Sequence, residues 1–590
     1  MILDGLIELV GNEPMIAEAI ADSDTGRLPA LDLTMPEPLR SVFVAALARR
    51  TSRTILLVTS TFREAEALTS ACASLLDEHD VAYYPAWETL PHERLSPRSD
   101  TVGRRLAVLR RLAGNDALPA PRVVIAPVRS VLQPQVVGLG NLLPVKLVTG
   151  EDYGLEDVAR GLVDAAYTRV DLVERRGEFC VRGGIIDIFP PTLEHPVRVD
   201  FFGDTVEEIR PFSVADQRSF DETLPEVVAS PCRELLITDS VKARAAELAR
   251  THLNAPGNLG ELFDKIASGH AVDGVEALAP VLVDGLELLI DVLPADTQIL
   301  LSDPERIRAR AHELVITSEE FLRASWAAAA EGGVAPIDLG ASAYRSLADV
   351  RAHALELGQA WWSLSPFSSG PDEGADGMLS ATVESATVSA WDVSAVPSRT
   401  VQATEAPVWR GDTEAAVASI RESAAAKHRT ILVADSSGLA TRLVEILKSA
   451  DIPASRPDQL TEAPLPGTVT VVRAELRHGF SLPGSDLDVF TAGDLSGQRE
   501  ADKASRKMPA RRKNQIDPLE LKPGDSVVHE THGVGRYVEM VQRTVAGATR
   551  EYLVLDYAPS KRGQPGDRLY VPMDQLDEVS RYVGGEAPSL

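Results

Sequence analysis

At 590 residues the chain is too long for a single domain, and with 44% hydrophobic and 25% charged residues it is globular rather than disordered. A formal net charge of −28 makes it a poor general binder of nucleic acid, because neutralising phosphates needs clustered Lys and Arg; protein partners fit most of its surface better. Three cysteines, Cys72, Cys180 and Cys232, show no CxxC spacing, which argues against zinc or a disulfide framework and fits a reducing, cytoplasmic setting. No apolar run reaches spanning length, and MILDGLIELVG lacks the basic region and cleavage site of a signal peptide.

Residues 1–125 alternate strand and helix signals. The pattern predicts strands at 54–58 and 123–125 and helices over 62–76 and 104–112, the first part of a parallel α/β domain. Residues 126–215 read as an inserted β-rich module. Strands are expected at 184–189 and 197–202, with a tight turn at Gly203-Asp204. Within it Arg169, Arg175, Arg176 and Arg182 crowd into fourteen residues of an otherwise acidic chain, so the module displays guanidinium groups, which suit ion pairing with carboxylates at protein interfaces.

Residues 216–365 return to the α/β domain, and a Pro/Gly/Ser-rich stretch at 365–377 marks a boundary. Residues 378–498 form a second, small α/β domain, with strands at 430–433 and 468–472 around a helix at 438–450. Residues 499–514 carry seven basic side chains against two acidic ones with almost no apolar pattern, which predicts an exposed linker. From 515 to 585 the pattern changes to five short strands, a small SH3- or Tudor-like β-barrel in which Gly533 and Gly535 permit sharp bends or close backbone approach. His529-Glu530-Thr531-His532 is one residue short of HExxH and sits on a strand and turn. A metal role is set aside in favour of structural histidines.

Tyr167, Arg169, Asp171, Arg176, Gly177, Phe179, Val181, Arg182, Gly183, Asp187, Ile188, Phe189 and Pro190 together form a pattern that resembles the module by which the excision-repair helicase UvrB docks onto UvrA. Cys180 departs from it, standing where UvrB usually has Arg. The run from Tyr84 to Asp100 with Arg104, Arg105 and Leu106, and the motifs His478-Gly479-Phe480 and Gly493-Asp494-Leu495, resemble the transcription-repair coupling factors. Gly524-Asp525, Val527-Val528, His532-Gly533, Gly547, Glu551 to Leu555 and Val571-Pro572 resemble the RNA-polymerase-interacting domain that those factors share with CarD-type regulators.

On these motifs the chain is identified as a member of the coupling-factor family, covering its N-terminal part. The resemblance implies a multidomain α/β fold: a degenerate helicase-like domain with its inserted module, a second α/β domain and the small barrel. It implies UvrA binding through Arg169 and Arg182, with Phe179, Arg176 and Asp187 in the same site and Arg175 in support. It implies binding of the RNA polymerase β subunit through Arg543, Tyr552 and Tyr570, with the 560–567 insert leaving the far edge of that site open.

A helicase-like domain should be checked for a phosphate cradle. The corresponding place, Thr34-Met35-Pro36-Glu37-Pro38-Leu39-Arg40-Ser41, has no glycine or lysine, and GxxxxGK[ST] occurs nowhere in the chain. No catalytic residue or cofactor is therefore expected here. The family's ATP- and Mg-dependent double-stranded DNA translocase would lie beyond residue 590, and contact with DNA would run mainly through it. The alternatives are a UvrB-type excision-repair protein and a free-standing CarD-like regulator. The missing phosphate loop and the 521–583 module oppose the first, and the 500 residues preceding that module oppose the second.

Overall fold

The computed structural model describes residues 3–89, 96–251, 259–270, 272–330, 343–366 and 396–496 of a first compact unit, 1–498. In a second unit, 499–590, it describes 524, 526–529, 533–545, 548–557, 568–572 and 579–581. The expected basic linker at 499–514 lies outside the described residues.

The first unit is built on a seven-stranded, all-parallel sheet. Its order is Ser398–Thr400, Ala30–Thr34, Ala360–Ser365, Gln298–Ser302, Ile55–Thr59, Val123–Pro127, Val81–Tyr83. A parallel sheet is covered on both faces, so its strands read as continuous apolar runs, and Ile55–Thr59 and Val123–Pro127 are buried at every position. Alternate residues feed two separate cores. Ile55, Leu57, Val123, Ile125 and Trp362 face one, packed on helix Arg40–Arg50; Leu56, Val58, Val124, Ala126 and Trp361 face the other, packed on helix Ser99–Leu112. Each such side chain contributes about 1.5–3 kcal/mol of burial. Helix Phe62–Leu75 starts where Thr61 accepts the Glu64 amide proton.

The inserted module is a five-stranded sheet ordered Thr205–Pro211, Val197–Phe202, Ile185–Ile188, Glu178–Arg182, Thr168–Arg169. All pairings are antiparallel except the last, which is parallel. Beside it Val145–Val148 pairs with Glu226–Ala229, and helix Leu155–Asp164 closes the core. These bounding strands place the module's limits differently from the expected 126–215. Residues before Val145 belong to the surrounding domain, where Gln135-Val136 pairs with Leu286-Glu287, and the chain returns to the module beyond 215 through Glu226–Ala229. Gly203, at φ +67°, makes the two-residue turn between Phe202 and Thr205.

A six-stranded sheet forms the second α/β domain, ordered Thr404–Glu405, Phe480–Leu482, Leu487–Thr491, Arg429–Ala434, Val469–Arg473, Ala454–Ser455. Ile431, Val433, Phe480 and Val489 join the same apolar cluster as Leu3, Leu6 and Leu47, so one face of this sheet is part of the first domain's core. Strand Ser398–Thr400, expected here, pairs instead with Ala30–Thr34 of the first sheet. The two motifs around Gly479 and Asp494 form one structure. The buried Asp494 carboxylate accepts protons from the Gly479 amide at 2.8 Å, the Thr491 amide and hydroxyl at 2.8 Å, and pairs with His478 Nδ1 at 3.1 Å.

The second unit is a five-stranded antiparallel sheet ordered Arg568–Pro572, Ala548–Asp556, Gly533–Val545, Ser526–His529, Val579–Arg581. Val527, Tyr537, Leu553, Leu555 and Val571 form its core. A Cβ at Gly535 would lie 2.8 Å from the Tyr557 ring, which explains that glycine as a site of close approach. His529 is a strand residue, and 530–532 lie outside the described residues.

Among the described residues, no helix is long and apolar enough to cross a membrane, and no group of three His, Cys, Asp or Glu could hold a metal ion.

Candidate protein-interaction sites

Arg169 and Arg182 stand on neighbouring strands at one edge of the inserted module. Thr168–Arg169 is an edge strand only two residues long, docked in parallel register on Glu178-Phe179. Arg182 ends the next strand. Both side chains are exposed, and with Val170, Asp171, Cys180 and Val181 they line one open hollow. The Arg182 guanidinium is steadied by donating Nη2–H to the Asp171 carbonyl, which also accepts from Cys180 Sγ at 3.3 Å. Among the described residues neither arginine has a carboxylate partner, and the exposed Arg175 has none either. In a chain with 87 acidic residues, Arg198 pairs with Asp187, Arg210 with Glu208, Arg160 with Asp157 and Arg233 with Asp273, whereas Arg176 and Arg218, like the rim arginines, have no carboxylate partner among the described residues.

Three residues expected in this site are committed elsewhere. Phe179 is fully buried in the module core with Ile186, Ile188 and Val199, so its ring cannot meet a partner. Asp187 is buried and bidentate to Arg198, with Nε at 2.7 Å and Nη2 at 2.9 Å. The hydrogen bond that Arg198 donates to Asp187 raises the Arg198 pKa above its usual value. Arg176 is half-buried. Its Nε–H donates to the Leu193 carbonyl at 3.0 Å and its guanidinium lies 5.1 Å from the Phe189 ring centroid, an internal clamp.

Sequence reasoning missed Phe202, which is 80% exposed at the hairpin tip. The signal was present: in Val197-Arg198-Val199-Asp200-Phe201-Phe202 a period of two cannot bury both phenylalanines.

The end of the first sheet where open α/β folds bind ligands, beyond the C-terminal ends of the strands, is filled by side chains. Arg40, buried, donates from Nη1 to Ser302 Oγ at 3.0 Å, and Ser302 donates to Glu64 Oε1 at 2.8 Å. Ser60 Oγ donates to the other oxygen of Glu64 at 3.1 Å. Burial lowers the Arg40 pKa, opposed by Glu37 and Glu64. Pro36 and Pro38 lie in the segment just ahead of the helix at Arg40, where a phosphate loop would present its amides, and each lacks that donor.

In the second unit Arg543 lies on the long strand Gly533–Val545, opposite Arg550, with Tyr552 opposite Val541 and Tyr570 opposite Val554. Tyr552 is half-buried. The side chains of Arg543 and Tyr570 lie outside the described residues. Gly533 to Gly535 pair with Ser526–His529, Arg536 pairs on both sides, and Glu539 to Val545 pair only with Ala548–Asp556, so among the described residues this last stretch keeps one open edge.

Residues 145–234 match the family described as the UvrB interaction domain, and residues 521–583 match the CarD-like/TRCF RID domain. Over 604 residues, 99% of this chain and 47% of the relative, the chain is 46% identical to the transcription-repair-coupling factor of Mycobacterium tuberculosis (strain CDC 1551 / Oshkosh). It is 28% identical over 562 residues to that of Bacillus subtilis (strain 168), covering 93% of this chain and 44% of the relative. The Escherichia coli (strain K12) factor is 27% identical over 563 residues, covering 92% and 44%. The chain thus spans a little under half the length of the relatives it matches.

Proposed function

We propose, on the premise that this chain is a relative of the transcription-repair-coupling factors along nearly all of its length, that it serves transcription-coupled DNA repair as an adaptor joining two partners. The inserted module recruits UvrA, and the C-terminal unit holds RNA polymerase through its β subunit. The observation that carries the reading is the pair Arg169 and Arg182: exposed, lining one hollow, and without carboxylate partners among the described residues of an acidic chain, inside the region that matches the UvrB interaction domain. Carboxylates on UvrA would complete these two guanidinium groups.

For polymerase, the open edge from Glu539 to Val545 supports strand addition, in which backbone hydrogen bonds give affinity and Arg543, Tyr552 and Tyr570 add side-chain contacts. We read the five strands of this unit as the wall of an SH3- or Tudor-like barrel. The Arg40–Ser302–Glu64 network supports the view that the first α/β domain is a helicase-like fold that does not use ATP. The family's ATP-dependent translocase, and its main contact with DNA, then belong outside these residues, and the setting is cytoplasmic.

The test is a two-partner titration of the 590-residue chain. Wild type should bind both UvrA and the polymerase β subunit. Arg543→Glu should weaken only polymerase binding, and Arg182→Glu only UvrA binding. ATP turnover, with or without DNA, should stay at background. Binding of one partner alone, or turnover that scales with protein and survives repurification, would contradict the reading.

A further inference from the structure

We infer that the Phe202 ring is the apolar anchor of the docking edge formed by Arg169 and Arg182, and that it enters an apolar recess in the acidic protein surface those arginines meet. The inference rests on the UvrA-binding reading above and deepens it by naming a residue and a chemistry that the arginines do not supply.

Phe202 is 80% exposed, while Phe201 before it packs against the module core. Side chains alternate along a strand, so Phe202 projects on the opposite face, the one that carries Asp200. Register places Arg182 and Ile185 on that same face, since Arg182 pairs with Ile185 and Ile185 with Asp200. The Arg182–Ile185 turn abuts the Phe202 tip, because the Phe201 amide donates to the Gly184 carbonyl at 2.8 Å. Only the strand Ile185–Ile188 separates the strand of Arg182 from that of Phe202, and Phe202 lies two residues beyond the level of Arg182, so the two side chains start roughly 12 Å apart.

Positive φ at Gly183 and Gly203 keeps both turns short, which holds the tips in place. Leu172, 42% exposed, follows Asp171, whose carbonyl steadies Arg182, and adds a second apolar group to the same margin. Among the described residues the other exposed phenylalanine, Phe62, is 38% exposed and has the Arg63 guanidinium 5.7 Å from its ring centroid. Phe202 has no such cover. An exposed aromatic ring on the same sheet face as the Arg182 guanidinium has the composition of an interface hot spot, where aromatic and Arg side chains carry most of the binding energy.

The test uses the 590-residue chain titrated against purified UvrA at low and high salt, with Arg182→Glu in parallel and circular dichroism as the control for folding. Phe202→Ala should weaken binding about 30-fold, chiefly through faster dissociation. Its deficit should persist at high salt while that of Arg182→Glu shrinks, because salt screens charge and not apolar contact. Phe202→Trp should restore most of the affinity. Wild-type affinity for Phe202→Ala beside an impaired Arg182→Glu would overturn the anchor and leave the UvrA reading standing. Wild-type affinity for both would overturn that reading too. Self-association of the wild-type chain that Phe202→Ala abolishes, with UvrA binding intact, would assign the ring to a second copy and overturn the inference.

Discussion

Arg105 and Arg182 are the same residue put to opposite uses. Arg105 is fully buried in the α/β body. Its Nε–H lies 2.5 Å from Glu234, Nη1–H donates to the Pro85 carbonyl at 2.9 Å and Nη2–H to Gln135 at 3.2 Å, with the Tyr84 ring centroid 4.4 Å away. Burial is the largest single influence and opposes its charge, but Glu234, Tyr84 and Glu88 together outweigh it and raise its pKa. Because Glu234 ends the stretch matched to the UvrB interaction domain, this ion pair ties the module to the body. Arg182, on the module's rim, has only a carbonyl to donate to and faces solvent. A guanidinium whose donors are satisfied inside holds the fold, whereas the exposed Arg182 is, on the function proposed above, available to a partner. Arg110, Arg111 and Arg122 belong with Arg105, each donating to backbone carbonyls of the body.

The contrast can be broken from the body's side. Arg105→Ala should destabilise the chain by about 3–5 kcal/mol, because it leaves Glu234 buried and unpaired. Denaturant unfolding would measure this, and a loss under 1 kcal/mol would mean that the pair does not clamp the module. Gly479→Ala should cost about 1–3 kcal/mol or more, since the new Cβ would sit 2.0 Å from the Val489 carbonyl oxygen and 2.9 Å from Asp494. An unchanged melting temperature would show that this corner yields. Neither change should alter UvrA affinity in the protein that remains folded.

The smallest effect concerns pH. The hydrogen bond to Asp494 raises the His478 pKa above its ordinary value near 6.5, against partial burial. A raised histidine contributes stability that is fully present below its unfolded value and lost as pH rises through its folded value. Stability should therefore fall modestly as pH rises above about 6.5, and His478→Gln should flatten that window. A pH profile identical to wild type would remove His478 from the account.

Much of this was legible in the chain. The apolar runs at 55–59 and 123–127 announce strands covered on both faces, and Gly203-Asp204 announces its hairpin. Asp187 was not legible as the partner of Arg198. The two lie on adjacent strands at registered positions eleven residues apart, and no local spacing selects that pairing over the nearby arginines. Phe179 is expected as a contact on the family resemblance, yet the period of two that it shares with Val181 sends it inward. The joining of Gly479 to Asp494 and the seat of Arg40 against Ser302, 262 residues away, depend on strand order, which sequence pattern does not encode.

The central claim is that unpaired arginines on the module rim are docking groups, and titrating UvrA against Arg169→Glu and Arg182→Glu at one fixed salt concentration tests it most directly. Stability should stay within about 0.5 kcal/mol of wild type, since neither side chain is buried. Affinity should fall by about 2–5 kcal/mol, roughly thirty- to several thousand-fold, as each reversal sets a carboxylate against the acid the arginine met. Wild-type affinity in both variants, with unchanged circular dichroism, would contradict the account and place the UvrA surface elsewhere.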